Sequence, residues 1–176
     1  VYGYGIGTVA DSLCAVKKFI FDEKRVTMEE MSNALDHNFK GYEELQAMLL
    51  KETPSYGNGI DEVDDIAEKV LSHFTKAVMD LNDRNETDKF VSTLFGYFFH
   101  IYHGEIAGAT PDGRMKGEAF SDSMGPSQGR DEQGPTRLLN SVLHLNDELV
   151  TGGYALNFKI NPSFLNEDKG TRSIEQ

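Results

Sequence analysis

Two polar side chains, held between backbone bends, are the first candidates for a chemical role in this chain. Ser127 and Gln128 lie within Pro126-Ser-Gln-Gly129, where proline fixes a backbone dihedral and glycine permits a positive φ. A loop held in this way could present a hydroxyl and an amide to a molecule bound in a cavity. The same groups could instead hydrogen-bond the backbone of their own loop. Both interpretations fit the sequence, and both residues are candidate substrate-pocket residues.

A charged pair precedes them in the same glycine- and proline-rich segment. Asp112 and Arg114 belong to the run 110–114, Thr-Pro-Asp-Gly-Arg, whose order of residues is typical of a tight turn. We expect an ion pair between them that locks the turn rather than a catalytic role. Further on, Gly134-Pro135 predicts a helix start. The N–H that proline lacks would have no partner within the helix at the first helical position, so nothing is lost there. The residues assigned to this structural motif are Pro111, Asp112, Gly113, Arg114, Gly129 and Gly134.

The clustered acids and histidines do not predict a metal site. Four carboxylates at 61–65 lie where a helix is expected to begin, and the helix dipole favours anions there. His73 is expected at the edge of that helix. His100 and His103 are three residues apart in a predicted strand, which would separate them onto opposite faces. No metal ligand set is therefore predicted.

The usual catalytic motifs are also missing from the sequence. It has no Gly-x-Ser-x-Gly, no His-Glu-x-x-His, no paired cysteines and no Walker loop, and the glycines of residues 1–7 do not match a phosphate-binding pattern. The single cysteine, Cys14, has no nearby histidine or cationic cluster in sequence, so we expect a small buried hydrophobic residue. No catalytic residue is assigned in this chain.

Amphipathic helices are predicted to position these loops. Val9, Leu13, Val16 and Ile20 form one stripe in a helix over 8–24, with Thr8 as its N-cap. The capping box Thr27-Met-Glu-Glu30 begins a second helix, with Met28, Met31 and Leu35 on its core face. A third carries Tyr42, Leu45, Met48 and Leu49, and a long fourth helix spans 61–82 with Val63, Ile66, Val70, Phe74, Ala77 and Leu81 along one side.

Strands are predicted after residue 83. The run 90–102 is aromatic and β-branched, which favours a strand buried on both faces. Alternation would place Phe95, Tyr97 and Phe99 on one face and Leu94, Phe98 and His100 on the other. A helix is expected over 135–145, a turn at 151–153, a second strand over 154–160, and the start of a helix within 166–176.

Composition narrows the class of protein. The chain has 176 residues, 39% of them hydrophobic, and a net charge of −12. That charge argues against nucleic acid and anionic membranes as partners, because both are negatively charged. A single cysteine fits a reducing compartment, and with no apolar run or leader in the sequence we expect a cytoplasmic location.

Several motifs in order resemble one family. They are His-x-x-x-Gly (100–104), Gly-Ala-Thr-Pro-Asp-Gly-Arg (108–114), Pro-Ser-Gln-Gly-x-Asp (126–131), Gly-Pro-Thr (134–136), Leu-Asn-Ser-Val (139–142) and Leu-Asn-Phe-Lys (156–159). Thr8-Val-Ala-Asp-Ser-Leu13, Lys17-Lys18 and Tyr42-Glu-Glu-Leu45 extend the likeness to the front of the chain. Together they resemble the glycyl radical enzymes, the family of pyruvate formate-lyase and glycerol dehydratase.

The resemblance implies an α/β fold. Residues 1–176 would be part of a ten-stranded barrel of the glycyl radical enzyme type, with helices outside a few buried strands. Residues 1–82 would be mainly helical and 83–176 would hold the strands and motif loops. Strands of this type line the radical cavity in the family, which makes Phe95 and Tyr97 pocket candidates beside Ser127 and Gln128. The alternative is that the aromatic residues are simply core.

The resemblance also implies a longer protein. Family members carry a radical on a glycine near the C-terminus, within Arg-Val-x-Gly-Tyr, and pass it to a cysteine in a Cys-x-Glu loop. Neither run occurs here. We therefore expect the glycine radical domain to be absent, the sequence to stop before it, and the chain alone to be inactive. No cofactor would be bound directly; the full-length protein would receive its glycyl radical from an S-adenosylmethionine iron–sulfur activase.

Three hypotheses follow. The first is a segment of a dehydratase or lyase that cleaves C–C, C–O or C–N bonds of a small polar substrate, forming a homodimer at full length and meeting the activase. The second is pyruvate formate-lyase (formate C-acetyltransferase) itself. The third is a short, non-catalytic paralogue that binds a partner. In isolation, we expect a poorly soluble or molten product, because the strand at 90–102 would be exposed.

Overall fold

The computed structural model, which describes residues 1–85 and 87–157, contains six α-helices and two short strands. In chain order they are β1 (Tyr2–Gly3), α1 (Ile6–Ala15), α2 (Met28–Asp36), α3 (Glu43–Glu52), α4 (Asp61–Asp83), β2 (Thr93–Leu94), α5 (Phe99–Ile106) and α6 (Pro135–His144). A π-helical segment, Val16–Asp22, continues α1, and a 3₁₀ turn, Asp147–Leu149, follows α6. None of the helices in the described ranges is both long and apolar enough to cross a membrane.

The first core forms where α1 packs against α4. The buried face of α1 consists of Ile6, Ala10 and Cys14. The predicted stripe on this helix is wrong, since Val9 is 42% exposed and Leu13 46% exposed. Ile6, Ala10 and Cys14 instead belong to one buried cluster with Val63, Ala67 and Leu71 of α4. Size of the apolar side chain is therefore a poor guide to which face of this helix is buried.

The start of α1 also differs from the prediction. The helix begins at Ile6, with Gly5 as N-cap at φ 81°, and Thr8 lies inside the first turn. The Thr8 hydroxyl is buried and accepts a hydrogen bond from the Ser121 backbone N–H at 2.8 Å. Thr8 therefore ties the helix to the motif segment instead of capping it.

A second core lies among the π-helical segment, α2 and α3, around Phe19, Met31 and Leu49. The predicted cap of α2 is confirmed, because the Thr27 hydroxyl accepts a hydrogen bond from the Glu30 N–H at 3.0 Å. Met31 is buried as expected, whereas Met28 is 54% exposed. The long helix α4 is confirmed at 61–83.

The predicted buried strand over 90–102 is wrong. Only Thr93 and Leu94 pair as a strand, and α5 begins at Phe99. Between them Tyr97 has a φ of 46°, and the Phe99 N–H donates to the Gly96 carbonyl at 2.8 Å, so the chain turns. A Cβ at Gly96 would lie 2.6 Å from the Asp122 carboxylate, so a larger residue there would displace that side chain. The chain turns here despite the strand propensity of the aromatic residues.

The predicted alternation of faces fails with the strand. Leu94 is buried, but Tyr97 and Phe98 are 64% and 63% exposed in this chain. The rings of Phe95 and Tyr97 contact each other edge to face, with centroids 4.3 Å apart. His100 and His103 lie on α5 rather than on opposite faces of a strand.

The sheet is parallel and joins distant parts of the chain. Tyr2 pairs with Thr93, Gly3 pairs with Leu94, and Leu94 also forms a parallel bridge with Tyr154. Of the strand predicted over 154–160, residues 158–160 lie outside the described part of the chain, as does the helix start predicted within 166–176. The turn at 151–153 and the helix beginning at Pro135 are confirmed.

Candidate functional site

The turn at 110–114 forms as predicted, but its ion pair does not. The Gly113 N–H donates to the Thr110 carbonyl at 2.9 Å, and Gly113 has a φ of 94°. Asp112 and Arg114 make no salt bridge within residues 1–85 and 87–157. The Asp112 carboxylate accepts hydrogen bonds from the hydroxyls of Thr110 at 2.5 Å and Ser12 at 3.3 Å. The predicted pair is wrong because neutral donors satisfy the carboxylate.

Arg114 instead binds the backbone around it. Its guanidinium donates to the carbonyls of Glu118 at 2.6 Å and Met115 at 3.0 Å, and also to those of Gly104 and Gly108. The guanidinium carbon lies 4.2 Å from the centre of the Phe120 ring. Burial lowers the pKa of Arg114 from its usual value. The arginine thus fastens the end of α5 to the segment that carries Phe120.

A cavity of about 440 Å³ lies beside this segment. Its wall includes Ser127 and Gln128, the two polar residues selected from the sequence. The Ser127 hydroxyl is 3.2 Å from the Thr8 hydroxyl, a partner outside its own loop. Phe95 and Tyr97, the other two candidates, are not among the residues that line this cavity.

A histidine and a carboxylate that the sequence reasoning missed also line the cavity. His100 Nδ1 lies 3.6 Å from Asp122 Oδ1, too far for a hydrogen bond, and has no hydrogen-bond partner within the described ranges. Asp122 is held by the Ser123 hydroxyl and by the Asn157 amide, each at 2.8 Å. The only signal in the sequence was the polar run Ser-Asp-Ser at 121–123, four residues before Ser127.

The loop containing Ser127 separates this cavity from a smaller one. The second cavity, about 380 Å³, is lined by Ser127 and Gln128 from the other side, together with Asp112, Arg114 and Arg130. Arg130 donates to the Ser55 hydroxyl at 3.1 Å and to the Asp112 carbonyl. The two structural turns of the motif are therefore connected through an arginine that the sequence reasoning did not select.

The loop at 53–60 is hydrogen-bonded to the segments around these turns. The buried Tyr56 hydroxyl donates to the Met124 carbonyl at 3.1 Å, and the Tyr56 N–H donates to Asp11 Oδ1 at 2.7 Å. Gly57 and Gly59 donate to the Ser141 hydroxyl, which in turn donates to Asp64 at 2.9 Å.

The remaining candidates carry no metal or nucleophile chemistry. Among the described residues, no group of three or more His, Cys, Asp or Glu side chains could hold a metal ion. Of the acids that begin α4, Asp64 points inward while Asp65 lies 2.8 Å from His144. His73 bonds the Lys69 carbonyl of its own helix. Cys14 is buried, and burial raises the pKa of its thiol to about 11, as suits a core residue.

Comparison with known proteins identifies the family. Residues 1–104 match the family model for pyruvate formate lyase-like proteins, and residues 120–176 match the model described as glycine radical. The chain is 36% identical over 174 residues to trans-4-hydroxy-L-proline dehydratase of Clostridioides difficile, covering 97% of this chain and 21% of that protein. It is 33% identical over 185 residues to isethionate sulfite-lyase of Bilophila wadsworthia, covering 99% and 22%.

Solved structures agree. The glycerol-bound form of the B12-independent glycerol dehydratase from Clostridium butyricum superposes with a TM-score of 0.86 at 37% identity, covering 98% of this chain and 22% of that one. Hydroxyproline dehydratase from Clostridioides difficile gives 0.85 at 32% identity, covering 98% and 22%. The described helices and parallel strand segments are thus a portion of the α/β barrel of such proteins.

The matches do not test the predicted domain division of the chain. The glycine radical model covers residues 120–176, yet no Arg-Val-x-Gly-Tyr run occurs anywhere in the sequence. The boundary predicted at 82/83 and the absence predicted for the glycine radical domain both stay predictions. The chain spans 21% and 22% of the length of the two curated relatives named above. The order of motifs, the matched family models and the superposed barrels together show that this chain belongs to the glycyl radical enzyme family.

Proposed function

We propose that this chain forms one wall of the substrate cavity in a glycyl radical enzyme of the dehydratase or lyase type. The reaction would be radical cleavage of a C–C, C–O or C–N bond in a small polar substrate. The observation that carries the proposal is the 440 Å³ cavity at the Ser127–Gln128 loop, whose wall combines polar side chains with an aromatic ring. Its size suits a small molecule with a few polar groups.

We assign each residue of the cavity wall a different contact with the substrate. Ser127 and Gln128 offer a hydroxyl and an amide to substrate hydroxyl or carboxylate groups. His100 also forms part of the wall, with its Nδ1 enclosed and without a partner among the described residues, and Asp122 is held in place beside it. The Phe120 ring supplies apolar surface that excludes water, which radical chemistry requires. These are binding and positioning roles, and we assign no catalytic residue to this chain.

The radical carriers belong to the longer protein. Cys14 does not fit a catalytic thiol, since it is 1% exposed and its thiol pKa is raised to about 11. The sequence has no Arg-Val-x-Gly-Tyr run. In the proposal, the full-length protein is a homodimer that receives its glycyl radical from a separate S-adenosylmethionine iron–sulfur activase.

The test uses the native protein that contains this chain, activated anaerobically. We expect a glycyl radical signal in electron paramagnetic resonance and turnover of one member of a panel taken from the relatives: trans-4-hydroxy-L-proline, isethionate and glycerol. Ser127→Ala and Gln128→Ala should each raise KM about three- to tenfold, the loss of one hydrogen bond to a neutral group. Ser32→Ala on the exposed face of α2 is the matched control. An unchanged KM in both pocket variants would remove the loop from the substrate site.

Two other functions give different results in the same preparation. Pyruvate formate-lyase would convert pyruvate and coenzyme A to formate and acetyl-coenzyme A, and would ignore the panel. A short binding paralogue would have an intact native mass near 19.6 kDa and no radical signal. Either result would replace the dehydratase or lyase assignment.

A further inference from the structure

A third, open cleft adjoins the smaller cavity, with which it shares Leu50 and Arg130, and has no lining residue in common with the 440 Å³ cavity. It measures about 480 Å³ and is bordered by the end of α3, the loop at 53–60 and the residues leading into α6. Three cationic side chains line it: Lys51, Arg130 and Arg137. One carboxylate, Glu132, lies among them. In a chain with a net charge of −12, this is an unusual concentration of positive charge.

The three cations are not neutralised by neighbouring acids. Within residues 1–85 and 87–157, Lys51, Arg130 and Arg137 take part in no salt bridge. Arg130 is fixed by neutral oxygens only, the Ser55 hydroxyl and the Asp112 carbonyl. A cation held by neutral acceptors keeps its full charge available to an anion in the cleft.

The cleft is also preorganised. The Asn58 amide donates to the Arg130 carbonyl at 2.7 Å, and its oxygen accepts from the Gln133 N–H at 3.0 Å, so one side chain joins both walls. Gly59 has a φ of 62°, and a Cβ there would lie 3.1 Å from Arg137 Cδ. The absence of a side chain at Gly59 lets Arg137 lie close over the loop. The start of α6, next to Gln133 and Arg137, adds the positive end of a helix dipole.

An unused hydroxyl lies at the same cleft. Thr53 lines it, is 6% exposed, and its Oγ1 has no hydrogen-bond partner among the described residues. The oxygen is enclosed, so it could reach a ligand in the cleft only after a rotation about χ1. A ligand that accepts hydrogen bonds would stabilise the rotated form.

We propose that this cleft binds a divalent oxyanion, either free phosphate or the phosphate group of a small monoester. Guanidinium groups match the oxygens of such an anion in pairs, and an ammonium adds a further donor. The excess of two positive charges among the lining side chains matches the charge of the ligand. The site is separate from the substrate cavity, and its occupancy does not depend on the radical reaction.

The test is calorimetric titration of the native protein, without activation, with inorganic phosphate and separately with methyl phosphate at constant ionic strength. Lys51→Gln and Arg137→Gln should each weaken binding about tenfold, the effect of one lost charge-assisted hydrogen bond. Thr53→Val should weaken it about threefold while keeping the β-branched shape. Lys76→Gln, an exposed lysine on α4, is the matched control and should leave binding unchanged.

The outcomes are distinct. Binding of phosphate alone identifies the free ion as the ligand, and binding of both probes identifies the monoester class. Absence of measurable binding overturns the proposal, as does equal weakening by Lys76→Gln, which would indicate general charge attraction. Because the titration needs no turnover, phosphate binding can be found even if the dehydratase or lyase assignment fails. Equally, the assignment can hold even if no phosphate binds.

Discussion

Asp11 is a carboxyl group without access to water. It is 0% exposed, Oδ1 accepts the Tyr56 N–H, and Oδ2 has no partner within the described ranges. Burial, reinforced by the nearby Asp112 and Asp64, raises the pKa of Asp11 to about 8. The protonated, neutral form is therefore the one that suits the folded protein at neutral pH.

This raised pKa predicts a pH dependence. Between about pH 4 and pH 8 the folded state keeps a proton that the unfolded state has released, so the free energy of unfolding falls as pH rises, by up to about 1.4 kcal/mol per pH unit. Asp11→Asn cannot titrate and should show a shallower fall. Urea midpoints at pH 5 and pH 7.5 measure it, with the exposed Asp36→Asn as control. Equal slopes in all three proteins would show that Asp11 is ionised in the folded state.

The hydroxyl of Tyr56 gives a second prediction about a single residue. Its hydroxyl donates to the Met124 carbonyl, two residues before Pro126, and the ring is fully buried. Tyr56→Phe keeps the ring but leaves that carbonyl unpaired, which should cost about 1–3 kcal/mol of unfolding free energy. Denaturant unfolding measures the loss.

The matched control is Tyr42→Phe, since the Tyr42 hydroxyl forms no hydrogen bond to any described residue. In the proposed enzyme, Tyr56→Phe should also raise KM, because Met124 leads into the loop of Ser127. A stability cost equal to that of Tyr42→Phe would contradict the role given to the Tyr56 hydroxyl.

Single residues were predictable from the sequence where their partners are local. The Thr27 cap bonds a residue three positions away, and Cys14 was recognised as buried from its neighbours. Asp11, Asp122 and the position of His100 in the cavity wall were not predicted, because their surroundings come from segments distant in sequence. No local sequence pattern predicts that Asp11 accepts a hydrogen bond from the Tyr56 N–H.

At the scale of elements, Arg114 joins a helix end to a loop. Its guanidinium donates to carbonyls of Gly104 and Gly108 on one side and of Met115 and Glu118 on the other. Lysine carries the same charge but has one compact head group, which cannot reach four carbonyls. Arg114→Lys should therefore cost at least about 2 kcal/mol.

The loss should be local to this part of the chain. Hydrogen exchange measured by mass spectrometry should become faster in peptides covering 104–120 and stay unchanged in α4. Arg84→Lys, an exposed arginine at the end of α4, is the control. Uniformly faster exchange across the protein would mean that Arg114 supports the whole fold rather than this junction.

Helices with one clear apolar face were predictable as elements, and the aromatic run was not. Helix α4 has a long amphipathic pattern and an acidic start, and α6 begins at Gly134-Pro135, where the sequence places a helix. In 90–102 the strand composition competes with a turn at Gly96, which lies close to the Asp122 side chain. That contact joins residues 26 positions apart, so propensity alone could not predict it.

Taken as a whole, the molecule exposes several large apolar side chains. They include Tyr97 and Phe98 just before α5, Ile106 at its end and Leu143 on α6, exposed by 64%, 63%, 62% and 79%. Exposed apolar area of this kind in a soluble chain favours association. The association risk predicted for an isolated chain thus belongs to these exposed side chains rather than to a bare strand.

The corresponding prediction concerns the 176-residue chain made alone. It should bind a hydrophobic dye and sediment as a mixture of sizes, and Phe98→Glu with Ile106→Glu should reduce both effects. Exposed polar substitutions of the same charge, Gln133→Glu with Asn140→Glu, serve as the control. A monodisperse wild-type chain with a sharp thermal transition would contradict the prediction.

The parallel pairing of β1 with β2 has a consequence for the order of events during synthesis. Tyr2 and Gly3 cannot find their partners until residues 93 and 94 have left the ribosome, and Leu94 must wait for Tyr154. By then α1 and α4, which end at residues 15 and 83, can already have packed together. Contacts so far apart in sequence form slowly. We expect the helical layer to assemble while the chain is still being made, and the sheet to close over it afterwards.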